Sequence, residues 1–236
     1  MSGRTLWEIL MGQNKPDIRP AELKVWNPLQ AKIGCTVQLK NDVRFSGINF
    51  VIERITIYDT PIGEKNFRHI DYHCKGTSLE TEGFVRFRLR LLPDDDATNE
   101  IGCRIQVLFL YDEMAQDDEF VKNVLGDPEG IFNINQDDAG NQLAEDQVRR
   151  YWRIEDVRDP YRSVTTVLED EDRSGKVDSD EILSGVVIYS WDYSRLTNDE
   201  NGQEFTEYLT VELEEAKRWI TILRGTDTMA ADVLVY

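Results

Sequence analysis

What the sequence lacks narrows the field first. Among its 236 residues are two histidines and three cysteines, Cys35, Cys74 and Cys103, with no CxxC spacing. A sparse, odd set of thiols suits reduced, buried cysteines in a cytosolic protein and gives no disulfide framework. The start, Met1-Ser-Gly-Arg-Thr-Leu-Trp-Glu8, has no basic, apolar and small-residue succession of a secretory signal. The longest apolar runs, Val107–Tyr111 and Gly185–Tyr189, have strand length. A membrane helix needs about 20 such residues. There is no G-x-S-x-G elbow, Walker-type loop, G-x-G-x-x-G or H-E-x-x-H motif. Basic residues are also outnumbered: 27 Lys plus Arg stand against 45 Asp plus Glu, for a net charge of −18. That balance opposes sequence-independent binding to nucleic acid or anionic lipid, where Lys and Arg displace counterions.

What is present points to a folded, mainly β protein, α+β at most. A 40% hydrophobic content with 10% aromatics supplies the buried area that disordered chains lack. Thr5–Met11 reads as a short helix with Thr5 and Glu8 in capping-box spacing, and Met114–Leu125 as a second, closed by Gly126 and Pro128. Most of the rest alternates with period two, giving strand candidates at Thr36–Leu39, Phe50–Tyr58, Phe67–Cys74, Phe84–Leu92, Arg104–Tyr111, Ile131–Asn135, Tyr151–Ile154, Val164–Leu168, Leu183–Ser190, Glu207–Leu213, Trp219–Leu223 and Val233–Tyr236.

The strand block of the first half has a partner in the second. Ile70-Asp-Tyr72 matches Trp191-Asp-Tyr193; Phe87, Leu89 and Leu91 match Leu209, Val211 and Leu213; Arg104–Phe109 matches Arg218–Leu223. Any two amphipathic hairpins align on their alternation, but the shared Asp-Tyr and three consecutive elements favour duplication. The organisation expected is an N-terminal helix and arm at 1–29, a first antiparallel β module at 30–112, a helix-containing connector at 113–149 and a related module at 150–236. Charge divides along the same line. Residues 1–91 hold 14 basic and 10 acidic residues, a net of +4, whereas residues 92–236 hold 13 and 35, a net of −22.

Three places could carry chemistry or recognition. Arg86, Arg88 and Arg90 occupy one face of a strand whose other face, with Phe87, Leu89 and Leu91, is apolar. They form either a solvated face or a basic ladder that meets an acidic surface of the second module or of another subunit. Arg68-His-Ile-Asp-Tyr-His-Cys74 holds both histidines; on a strand His69, Asp71 and His73 share a side, where they are either plain surface residues or an open zinc or iron site. The third is Asp170-Glu-Asp-Arg-Ser-Gly-Lys-Val-Asp-Ser-Asp-Glu181, which resembles the EF-hand calcium loop. Its spacing offers Asp170, Asp172, Ser174, the Lys176 carbonyl, Asp178 and a bidentate Glu181, with Gly175 at the turn. Its flanks, Ser163–Leu168 and Gly185–Tyr189, are β-branched and strand-like rather than helical, so a bound calcium would act as a clip between strands. The alternative is an acidic, solvated loop.

Read in order, Leu108-Phe-Leu-Tyr-Asp-Glu113, Pro128-Glu-Gly130, Asp137-Asp-Ala-Gly140, Tyr151-Trp-Arg153, Asp159-Pro-Tyr161, Trp191-Asp-Tyr-Ser-Arg195 and Glu207-Tyr-Leu-Thr-Val211 resemble the bacterial YjfK-like family over roughly residues 30–236. The resemblance implies a cytoplasmic bacterial protein, in some relatives encoded near a phage-shock protein A homologue and a small membrane protein, and it transfers no active site. The function expected is that of a non-enzymatic accessory or scaffold protein that binds a protein partner or itself, with peripheral membrane association through that partner. The competing classes are a metal-dependent enzyme centred on His69, Asp71 and His73, and an acidic nucleic-acid mimic. The calcium reading makes a direct prediction: calcium raises the thermal midpoint of the parent protein but not of an Asp170→Ala/Asp172→Ala variant, as differential scanning fluorimetry would show, and no gain in the parent rejects the site.

Overall fold

Alternating sequences build strands with one apolar face, and here that pattern closes on itself. The computed structural model describes residues 31–40, 45, 48–77, 83–93, 102–137, 140–154, 159–169, 183–199 and 201–235. Twelve strands run in order: β1 Thr36–Leu39, β2 Phe50–Ile62, β3 Lys65–Thr77, β4 Phe84–Pro93, β5 Cys103–Ala115, β6 Ile131–Ile134, β7 Arg149–Arg153, β8 Tyr161–Glu169, β9 Leu183–Asn198, β10 Glu204–Glu214, β11 Trp219–Thr228 and β12 Val233–Val235. The N-terminal helix expected at Thr5–Met11 and the calcium-type loop at 170–181 lie outside the described residues. The segments flanking that loop are the strands β8 and β9. No helix among the described residues is long and apolar enough to cross a membrane.

Eight strands form a closed antiparallel barrel in the order β2-β3-β4-β5-β11-β10-β9-β8, with β8 returning to β2. Each half of the chain contributes one four-stranded meander, and the halves meet along two seams, β5–β11 and β2–β8. The long strands hand an edge from one partner to another. β2 pairs with β1 at Phe50 and Val51 and with β8 from Arg54 to Asp59, and its register shifts between Ile52 and Arg54, where the partner changes. β9 likewise pairs with β8 up to Ser190 and with β7 at Tyr193 and Ser194. Such irregularities bend a strand and let a sheet close.

The barrel turns its apolar faces outward. Ile70, Tyr72 and Cys74 of β3 stand opposite Leu91, Leu89 and Phe87 of β4, and this face is covered by Val37, Leu39, Phe45 and Val233. On the other half, Trp191, Tyr193, Leu209, Val211, Ile220 and Ile222 are covered by Leu125, Phe132, Ile134 and Tyr151. Two satellite layers, β1 with β12 and β6 with β7, thus bury the outer surface in two separate cores. The alternate residues of the same strands face inward, and those are largely polar.

Two details of the sequence reading change. Met114 and Ala115 belong to β5, and the helix begins only at α1, Asp118–Phe120, which continues as a π-helical turn over Val121–Leu125. Asp117 sets that start, its carboxylate accepting from the Glu119 and Phe120 amides. The repeat also slips in register. Leu91 stands beside Ile105 and Leu213 beside Ile220, so Ile105 matches Ile220, not Trp219. Asp71 stands beside Arg90, but Asp192 stands beside Thr210 and Glu212 beside Ser190; Asp71/Asp192 and Arg90/Glu212 therefore cannot both be equivalent pairs.

The β5–β11 seam depends on one glycine. Gly225 faces Leu108, and a Cβ there would sit 1.8 Å from the Val107 carbonyl oxygen. Gly225→Ala is expected to lower stability to urea by about 3 kcal/mol or more, whereas Gly202→Ala, in an open turn with φ +78°, costs about 1–2 kcal/mol; equal losses would mean that the seam yields.

Candidate functional site

The inward faces of β3, β4 and β10 assemble a charge network at the centre of the barrel. Alternation puts Asp71 on β3, Arg88 and Arg90 on β4 and Glu212 on β10 at inward positions, where outward neighbours such as Tyr72, Leu89 and Val211 enter the two cores. Arg90 grips Asp71 with two parallel bonds, Nε to Oδ1 at 2.8 Å and Nη2 to Oδ2 at 2.9 Å, and reaches Glu212 Oε1 at 2.8 Å. Arg88 donates to Glu212 Oε2 at 2.6 Å and approaches Asp71 Oδ2 at 3.4 Å. The Tyr58 hydroxyl of β2 donates to Glu212 and accepts from Arg88, both at 3.3 Å. The two arginines of the first half thus meet Glu212 of the second, while Arg86 of the same ladder is exposed to solvent.

Electrostatics fix these groups in their charged forms. Burial pushes the Asp71 carboxyl up, but the charge and hydrogen bonds of Arg90 outweigh it and hold the group well below the usual carboxylate range. Glu212 is lowered in the same way, burial opposing and Arg88 and Arg90 prevailing. The pull is mutual, and both arginines are raised against the effect of burial by these carboxylates.

The histidines are neutral members of the same interior. His73 Nδ1 lies 2.9 Å from Arg54 Nη2, and Nε2 lies 2.9 Å from Thr56 Oγ1. A guanidinium only donates, so Nδ1 accepts and the proton resides on Nε2, where it is given to Thr56. Burial, then Arg88 and Arg54, hold His73 well below its ordinary value. The His69 ring stacks on Tyr58 at 4.3 Å, and its buried Nε2 has no hydrogen-bond partner among the described residues. Burial, reinforced by Arg90, lowers His69 to about 4. His69, Asp71 and His73 share a face as the alternation implies, but Asp71 is taken by arginine and His73 by Arg54 and Thr56. Among the described residues no three His, Cys, Asp or Glu side chains gather as metal ligands.

Beside the network lies a cavity of about 290 Å³. Tyr58, Phe67, Tyr161 and Tyr208 supply aromatic side chains to its walls, and His69, Arg90, Gln106, Asp192, Thr210 and Glu212 supply polar groups. Asp192 differs from the other two interior carboxylates. Its partner is a hydroxyl: Thr210 Oγ1 donates to Oδ1 at 2.6 Å and itself accepts from Arg90 at 3.2 Å. Burial raises the Asp192 pKa despite Arg90 and this hydrogen bond. At the rim, Arg104 stands 3.7 Å from Asp227.

The sequence reading named Asp71, Arg88 and Arg90 but not their partners Glu212 and Tyr58, nor Asp192. The available signal was an acid at an internal position of an alternating strand, in Tyr-Leu-Thr-Val-Glu-Leu and Trp-Asp-Tyr. No protein-family model, curated protein or solved structure matches the chain.

The buried imidazoles make stability pH-dependent with a definite sign. His69 has a folded pKa below its unfolded value, so between about 6.5 and 4 the unfolded chain holds more protons and stability falls as the pH drops. His73 acts in the same direction, and Asp71 and Glu212 add a further loss only below the ordinary carboxylate range. A His69→Phe variant, which keeps a ring against Tyr58, is expected to lose less urea resistance than the parent between pH 7 and pH 5; an unchanged slope would show that His69 does not carry the effect.

Proposed function

We propose that the protein is a non-enzymatic accessory or scaffold protein that works by recognition of a protein partner. The observation that carries this reading is the mutual consumption of Asp71, Arg88, Arg90 and Glu212. A general acid or base must be free to exchange a proton near the working pH, with its reach directed at substrate. These groups are directed at one another, and their pKa values are driven away from neutrality. Such a network suits a rigid frame better than a reaction centre, and it weakens the alternative of a metal-dependent enzyme at His69, Asp71 and His73.

A surface for the partner is supported by Trp152 and Leu196, which are 52% and 66% exposed. Trp152 on β7 stands opposite Ser194 of β9, and Leu196 follows two residues along, so both lie on one sheet face. Tryptophan is among the residues that most often anchor the centres of protein interfaces, and Leu196 adds apolar area beside it. The resemblance to the YjfK-like family supports a bacterial, cytoplasmic setting and a partner of the phage-shock type that coats the membrane under envelope stress. A calcium clip at 170–181 belongs to the same reading as a support for the β8–β9 connection.

The test uses a double variant that leaves the buried network intact. Partners cross-linked to the full chain in its native host are identified, produced separately and titrated against parent and Trp152→Ser/Leu196→Ser protein. The variant is expected to bind at least about tenfold more weakly, and equal affinity would reject this face as the interface.

A further inference from the structure

Charge accounting inside the barrel leaves one carboxylate over. Asp71, Asp192 and Glu212 face two guanidinium groups, Arg88 and Arg90, and both histidines there are neutral. The two arginines are divided between Asp71 and Glu212. Asp192, among the described residues, has only the Thr210 hydroxyl as a side-chain partner. A half-buried carboxylate that no cation touches directly, with Arg90 acting on it only from behind Thr210, is unfavourable whichever way it is resolved, by proton uptake or by a cation from outside.

The cavity in front of Asp192 is shaped for the second resolution. Its volume of about 290 Å³ lies just under the range of drug-sized ligand pockets, about 300–1,000 Å³, which suits a smaller ligand. Tyr58, Phe67, Tyr161 and Tyr208 line it together with Asp192, the Tyr58 ring lying against His69 and Arg90 and the Tyr208 ring under Arg104. Aromatic faces carry negative potential and attract an organic cation while covering its carbon atoms. An anion would add to the excess negative charge, and the nearest additional cation, Arg104, already stands beside Asp227 and over the Tyr208 ring. A metal ion would want several converging ligands, and no group of three is gathered among the described residues.

We propose that this cavity binds a small organic monocation, an ammonium or guanidinium group on a short carbon skeleton, with its charge paired to Asp192 and its carbons against Phe67 and Tyr161. The site is separate from the partner surface, since neither Trp152 nor Leu196 lines the cavity. Failure of either reading leaves the other standing.

Isothermal titration of the full chain at pH 7.5 tests it with three cations, choline, butylammonium and butylguanidinium, and two neutral analogues, 3,3-dimethylbutanol and pentanol. At least one cation is expected to bind with one-to-one stoichiometry, about tenfold or more tighter than its neutral analogue. Asp192→Asn, nearly the same in shape, is expected to erase that preference. The proposal is overturned if none of the three cations binds, if a neutral analogue binds as well as the matching cation, or if Asp192→Asn retains the preference. The comparison of choline with 3,3-dimethylbutanol needs only the parent protein, so the test holds even where the variant does not fold.

Discussion

The arrangement of Arg88 and Arg90 between Asp71 and Glu212 is the constraint on which the rest of the structure depends. Two charges from β4 and one from β3 meet one from β10 across the interior of a closed sheet. Removing such groups from water is expensive, and their attraction repays it only when the geometry is good and the remaining polar atoms are bonded. Here the bidentate Arg90–Asp71 pair, the Tyr58 hydroxyl and Thr210 supply those additional bonds. A hydrophobic filling of the same volume could be as stable, but it would tolerate sliding of one meander past the other. The charge network does not: a one-residue shift of β10 puts Val211 or Leu213 before two arginines, and a two-residue shift that brings Thr210 there removes the carboxylate. The interaction is therefore best understood as the element that fixes how the halves are placed, with a modest part in total stability.

Polar filling inside forces the apolar residues outside, and this explains the satellite strands. An eight-stranded barrel with Ile70, Tyr72, Leu89 and Leu209 on its outer surface would present two large apolar faces to water. The pairs β1–β12 and β6–β7, with the short helix, cover one face each. The cover on the second half uses the same chemistry as the interior. Glu207 takes Arg195, Arg224 and the Tyr151 hydroxyl, so a carboxylate between two arginines and a tyrosine again joins separate strands.

Period-two alternation was enough to find the twelve strands among the described residues and to predict which residues share a face, because that pattern is local. His69, Asp71, His73, Arg88 and Arg90 lie on one face for that reason. Whether the face points to solvent, to a partner or into a barrel is set by closure along the β5–β11 and β2–β8 seams, which pair residues more than a hundred positions apart. No local signal encodes that. Leu183–Ser190 and Trp191–Tyr193 are one strand in the fold because β9 continues while its neighbour changes from β8 to β7, an event invisible to a pattern read along one chain. The slipped repeat has a similar origin. The two-residue slip between the Asp71/Asp192 and Arg90/Glu212 pairs preserves the inward and outward faces, so alternation cannot choose between those registers, whereas the one-residue slip that pairs Ile105 with Ile220 swaps faces and shows only once β10 and β11 are paired. The helix start was missed because Met114 fits a helical stripe as well as a strand, and the capping bonds of Asp117 decide between them.

The division of charge along the sequence, +4 and then −22, takes on a specific meaning in this frame. If the excess acid of the second half merely repelled itself at the surface, it would destabilise the compact state. Part of it is instead drawn inward: Glu212 neutralises arginines from the basic half, while Asp192, four strands away from β4 around the barrel, is left with a hydroxyl. The first half brings two cations and one acid to the centre and the second brings two acids, so the three acids exceed by one what the cations can absorb. A scaffold evolved only for rigidity would gain from Asn or Thr at position 192, which satisfy Thr210 without a charge. An aspartate at the wall of an aromatic-lined cavity is therefore the one interior group whose chemistry the frame itself does not explain, and recognition of a cation is the role its surroundings fit.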